Sequence, residues 1–260
     1  MSSLAQDRDA SGGRRWKIGL FLAAYFLLFG AFGLVASRQS NGRGLMATLT
    51  FVECAALAVV TALFSVSFDP RELGVRRAVL RVLCVCGLTE LASVVVLGVA
   101  WLAWGAAPFV GGLAAQLVIL AFCLLLASVF ALIRCSGSEL LVAQLVSIFV
   151  ACALMGTIFY ADPLVEAQRS PEARSMMITG ILATNPITAI SWSLLEFDLM
   201  RQQLMYDSIS VIGRWYRTPY PKWWSTTLVY TAVSAVTLVG AGLLRKHRIL
   251  SSSRKGGQLP

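Results

Sequence analysis

Two carboxylates, Glu53 and Glu90, stand inside long apolar runs of this chain. A charge at the centre of a bilayer costs roughly 2.5–3.5 kcal/mol on insertion scales, so an intramembrane carboxylate is a functional-site hypothesis by default. For Glu53 two readings stand side by side. It lines a polar translocation path, or it is a protonated or hydrogen-bonded group at a helix contact. Gln116 and Gln144 also lie in apolar runs and are expected to bond between helices.

The remaining side chains exclude more chemistry than they offer. The chain has one histidine, His247, in a basic tail. Paired-histidine haem ligation, histidine metal clusters and Ser–His catalysis within the membrane are therefore excluded. No Gly-rich phosphate loop ending in Gly-Lys-Ser or Gly-Lys-Thr occurs, so the chain lacks that device for holding ATP. Lys255-Gly256-Gly257-Gln258 resembles a fragment of an ATPase signature, but it follows the last apolar run and is read as chance. Cys84 and Cys86 are not spaced as a redox pair or a zinc knuckle. The cysteines are read as small core residues. No catalytic or metal-binding set is expected.

The elements that must position Glu53 and Glu90 are long. Apolar stretches run through Ile18–Ala36, Leu45–Phe68, Val82–Trp104, Phe109–Ile133, Leu140–Tyr160 and Ser225–Leu244. Each is near the length of about 20 residues that crosses a hydrocarbon core of about 30 Å. Backbone groups in lipid must be satisfied within the element, so each stretch is expected to be an α-helix. The chain is 57% hydrophobic with a mean hydropathy of +0.74, beyond the range of a soluble globular domain. The expected fold is an all-α membrane protein with six crossings. Residues 1–13 are expected to form a polar, disordered tail, 14–248 the six-helix membrane domain, and 249–260 a disordered C-terminal tail.

The formal charge of +9 could point to nucleic acid, but its distribution points to a membrane. Arg8, Arg14, Arg15 and Lys17 precede the first run. Arg71, Arg76, Arg77 and Arg81 follow the second, and Arg134 follows the fourth. Arg245, Lys246, Arg248, Arg254 and Lys255 follow the last. The short loops on the other side hold only Arg38 and Arg43. The positive-inside rule then places both termini in the cytoplasm. Trp101, Trp104, Trp223 and Trp224 fall at the outer interface, with Tyr160.

Two segments hold the finer expectations. Between Asp69 and Arg81, bases alternate with apolar residues. Hydropathy permits a third crossing that starts at Val82, and equally one from Leu88 to Ala107 with Val75–Cys86 as a helix on the inner surface. The second is favoured because it leaves Glu90 near the cytoplasmic end. The 161–224 segment is expected outside. Ser170-Pro171-Glu172 reads as an N-cap, a first-turn proline and a favourable acid. Asn185-Pro186 repeats the signal, opening an amphipathic outer-surface helix over Ile187–Leu204. The apolar stretch Met176–Leu195 could also dip into the bilayer.

In its order of parts the chain resembles the ABC-2 type permeases, the membrane subunits of ATP-binding-cassette exporters. The resemblance spans roughly residues 14–248. It rests on six runs with both ends inside, the Arg71-Glu72-Leu73-Gly74 turn after the second, Asn185-Pro186 between the fifth and sixth, and the aromatic, proline-containing approach to the last. Relatives usually carry Thr soon after that glycine, where Val75 stands here. The resemblance implies a bacterial inner-membrane exporter without a cofactor of its own. ATP would bind a separate ATPase subunit, and a second permease copy or homologous permease would pair with this chain in the lipid bilayer. It makes Arg71, Glu72, Gly74, Arg76, Arg77 and Arg81 the ATPase-coupling residues, Glu53 part of the path, and Asn185 and Pro186 the opening of the external element. The alternative class is a non-transporting integral membrane scaffold or assembly factor.

Overall fold

A computed structural model of the chain describes residues 42–104, 109–160, 162–195 and 222–256. The expected first crossing at Ile18–Ala36 and the N-terminal tail lie outside the described residues, so six crossings become five helices here. The described residues form helices α1 (Gly42–Ser67), α2 (Pro70–Leu73), α3 (Val75–Trp104), α4 (Phe109–Cys135) and α5 (Leu140–Tyr160). Helices α6 (Asp162–Glu166), α7 (Pro171–Thr184), α8 (Pro186–Leu195) and α9 (Trp223–Gly256) follow. No strand occurs among the described residues.

Helices α1, α3, α4, α5 and α9 are long and apolar enough to cross a membrane. Their outward faces agree with that. Phe149 on α5 is 72% exposed and Val236 on α9 is 74% exposed, with Val52, Val59 and Leu63 exposed along α1. Apolar surface on this scale is unusual for a monomer in water and calls for lipid or another apolar partner.

Helix α4 is the hub. Its apolar window is 67% buried, against 17% for α9, because α1, α3, α5, α8 and α9 all pack against it. Small residues permit the close approach: Ala58 and Ala62 on α1 and Ala127 and Ala131 on α4 are all buried. The α4–α9 contact is closed by Phe122 and Tyr230, whose ring centroids lie 5.5 Å apart. A Cβ added at Gly240 on α9 would lie 3.3 Å from a Leu132 methyl, so α9 passes close to α4 there.

One expectation is overturned in α3. There is no surface helix followed by a separate crossing. Val75 to Trp104 is one continuous helix. The reason is packing: Ala78, Val79, Val82, Val85, Cys86, Thr89, Glu90 and Ser93 form one unbroken buried stripe. Gly87 is only half-buried and causes no break. Glu90 therefore lies well along the helix, roughly 13 Å beyond Arg81 at 1.5 Å per residue, rather than at the helix entry. At the other end of the chain, α9 runs on to Gly256, past the boundary at 248 expected from sequence.

Candidate functional site

The buried stripes of α1, α3 and α4 bring the polar residues together. On α1, Thr50, Glu53, Cys54, Leu57, Ala58, Thr61 and Ser65 recur at helical spacing and are buried. Glu53 is 1% exposed. One of its carboxyl oxygens accepts the Ser93 hydroxyl from α3, and the other accepts Gln116 Nε2 from α4 at 2.8 Å. Glu90 sits three residues from Ser93 and so on the same face of α3. Its Oε1 is buried with no hydrogen-bond partner, as is Gln116 Oε1. Two acceptor oxygens at this contact, one on each residue, are thus buried without a donor. Among the described residues no group of three or more His, Cys, Asp or Glu is placed to hold a metal ion.

Glu53 thus stands at a three-helix contact, hydrogen-bonded on both oxygens. Gln116 is an interhelical bonding partner, as its sequence position led us to expect. Ser93 and Glu90 are the residues that sequence reasoning did not join to Glu53. The missed signal was the continuity of α3, which carries both to the depth of Glu53.

A second polar centre lies at the basic end, where α1 gives way to α2, α4 turns into α5, and α9 emerges. Asp69 caps α2, with Oδ1 accepting the Arg71 amide at 2.9 Å and Pro70 in the first turn. Its Oδ2 is in a salt bridge with Arg134 from the end of α4. Partial burial pushes the Asp69 carboxyl upward. The Arg134 hydrogen bond, the Arg71 amide and both guanidinium charges outweigh it and hold the carboxyl below its ordinary value. Arg71 reaches back across the turn, donating Nε to the Arg134 carbonyl at 2.7 Å and Nη2 to Ser138 at 2.9 Å. Arg134 donates to the same Ser138 carbonyl at 2.8 Å.

Two glycines let α9 close on this centre. Gly74 has φ +84°, between α2 and α3, and the Arg245 guanidinium lies beside it. Gly137 has φ +107°, and a Cβ there would fall 1.7 Å from Arg248 Nη2. Only glycine combines that backbone with that proximity.

The six residues expected to couple to an ATPase therefore divide. Arg71 and Gly74 belong to the internal junction. Glu72, Arg76 and Arg77 are exposed. Arg81 is exposed too, with its guanidinium 5.9 Å from the centre of the Phe68 ring. Asp69, Arg134 and Gly137 were not singled out from sequence, although the Asp69-Pro70 cap could have been found by the rule applied at Ser170-Pro171.

The third feature is the break between α7 and α8. Ser170 caps α7 as expected, its hydroxyl accepting the Ala173 amide at 3.1 Å. Asn185 is fully buried. Its Oδ1 accepts the Ile187 and Thr188 amides at 2.9 and 3.1 Å, with Pro186 opening α8. Its amide nitrogen donates to the Leu154 and Met155 carbonyls of α5 at 3.1 and 2.9 Å, and meets the Thr157 hydroxyl at 2.9 Å. Thr188 Oγ1 donates to the Leu182 carbonyl at 2.8 Å, and Tyr230 donates to Thr184 at 2.6 Å. The backbone groups freed by the break are thus met by side chains, the condition for irregular backbone in an apolar setting.

The expected outer-surface helix over Ile187–Leu204 is corrected by this packing. The described part, α8, is inserted against α1 and α4, with Pro186, Thr188, Ala189, Ile190 and Ser191 buried. Apolar residues on nearly every side of α8 favour insertion over a surface position. Residues 196–204 lie outside the described residues. The chain matches no family model, no curated protein and no solved structure.

Proposed function

We propose that this protein is the membrane-spanning subunit of an ABC-2 type exporter, driven by a separate ATPase. The observation that carries the reading is the break between α7 and α8 at Asn185-Pro186, after which α8 packs into the bundle against α1 and α4. The break falls in the chain between the last two long helices, where the resemblance places amphipathic or re-entrant helices. In this reading six helices cross a bacterial inner membrane, both termini are cytoplasmic, and the α7–α8 segment caps the outer exit. Two copies, or this chain and a homologous permease, pair around the path, and Glu53, buried with Gln116 and Ser93 at the α1–α3–α4 contact, braces the wall of that path rather than lining it.

The exposed triad of Glu72, Arg76 and Arg77 is the ATPase docking surface. Arg71 and Gly74 transmit its movement, because their contacts tie the turn to α4 and α9. The protein purified with its ATPase should hydrolyse ATP only when both chains are present. Glu72→Arg with Arg76→Glu and Arg77→Glu should abolish co-purification while the bundle melts unchanged. Retained association and transport in that variant would reduce these residues to lipid anchors and remove the coupling assignment.

A further inference from the structure

The basic end of the bundle holds two adjoining clefts. One, of about 300 Å³, is lined by Arg71, Cys135, Arg245, Arg248 and Ile249. The other, of about 350 Å³, shares Arg245 and Ile249 and is completed by Val75, Gly242, Lys246 and Leu250. No acidic residue lines either cleft among the described residues. Asp69, nearby, is already paired with Arg134.

The three guanidiniums are held in place by the backbone. Arg71 is fixed on the Arg134 and Ser138 carbonyls, Arg245 on Arg71 at 3.4 Å, and Arg248 on Ser136 at 2.5 Å. Arg245 and Arg248 each spend one terminal nitrogen in these bonds. A guanidinium carries five N–H donors in a rigid fork, which leaves donors for a phosphate. The geometry also explains Gly137, whose missing side chain makes the space that Arg248 occupies.

The second cleft gives the anion site an apolar extension. A Cβ at Gly242 would meet nothing within 4 Å, so the helix surface is open there. Gly242 lies three residues from Val239, which is 64% exposed on the apolar face of α9. Positive charge at one end and an open apolar groove at the other match an amphiphile better than a free anion.

We propose that the two clefts seat one anionic phospholipid, its phosphate on Arg71, Arg245 and Arg248 and its acyl stem along Val75 and Gly242. The lipid then bridges α9 to the α2–α3 turn, and its presence biases the junction that Arg71 ties to α4. The inference rests on these helices crossing a bilayer and requires neither transport nor an ATPase.

Native mass spectrometry of the full chain, released from bilayers of phosphatidylglycerol and phosphatidylcholine, tests it. The protein should retain phosphatidylglycerol preferentially. Arg245→Gln with Arg248→Gln should weaken retention about thirtyfold, as expected for two bases at an anionic surface. Gly242→Phe fills the groove and leaves every charge, so it should weaken lipid retention while leaving inorganic phosphate binding unchanged. Melting curves check that each variant folds, and Gly242→Phe alone decides the matter if the double variant does not. Unchanged lipid retention in Gly242→Phe overturns the proposal. Inorganic phosphate displacing the lipid completely at equal concentration assigns the cleft to a free anion and overturns it too. No ATPase enters the assay, so either result leaves the transport reading untouched.

Discussion

The Tyr230 phenol donates to the Thr184 carbonyl at 2.6 Å, tying the last long helix to the end of α7. Tyr230 is 1% exposed and lies against Phe122. A residue of α9 thus serves a helix end that α7 and α8 leave open between them. Tyr230→Phe keeps the ring packing and removes the donor. Leaving a buried carbonyl unpaired costs about 1–3 kcal/mol. The variant should melt several degrees lower in detergent, and an unchanged melting temperature would show that water replaces the phenol.

Asn185 separates capping from anchoring. Its oxygen caps α8 and its nitrogen holds α5. Asn185→Ala loses both, where the cap alone is worth about 1 kcal/mol. Asn185→Asp keeps the cap but has no donor for the Leu154 and Met155 carbonyls. Hydrogen exchange over 186–195 should rise in both variants. Normal protection in Asn185→Asp would confine the residue to capping.

At Glu53, shape and hydrogen bonding can be tested apart from charge. Glu53→Gln still offers an oxygen to Ser93 or Gln116, whereas Glu53→Ala removes the acceptor of both, leaving the Ser93 hydroxyl to the Thr89 carbonyl at 3.4 Å. A buried orphan costs on the order of 1–3 kcal/mol. Thermal unfolding should rank Ala well below Gln. Equal destabilisation would mean that the cluster does not hold α1, α3 and α4 together.

The Asp69–Arg134 pair gives the basic end a dependence on acid. The folded carboxyl lies below its ordinary value of 3.8. Its contribution is therefore complete above that value and is lost as pH falls through the lower folded one. Asp69→Asn should be less stable than the native protein near neutrality, and the gap should close as pH falls below the ordinary carboxyl value and through the lower folded one. A gap that stays constant with pH would mean that the pair contributes nothing through charge.

Orientation is open to labelling. Single cysteines at 170 and 250, in a cysteine-free background, should react with an impermeant maleimide from outside only at 170. The reverse pattern would invert the bundle and remove the docking surface from the ATPase side.

The sequence by itself determined the long helices, since apolar length and the need to satisfy backbone groups are local properties. It also determined both caps in the segment after α5, because Ser170-Pro171 and Asn185-Pro186 act on amides two and three residues away. It marked Glu53 as costly to bury but not what holds it. Ser93 and Gln116 meet Glu53 only because α3 and α4 pack on α1, and hydropathy is blind to which faces meet. The same limit explains the misread entry of α3. A basic apolar repeat suits a surface helix as well as a buried one, and only the continuous stripe against α4 settles it. Insertion of α8, the use of Arg71 as an internal tie, and the fit of Gly137 to Arg248 depend likewise on contacts between residues far apart in the chain. Those contacts are decided by packing around α4, which every other long helix among the described residues touches.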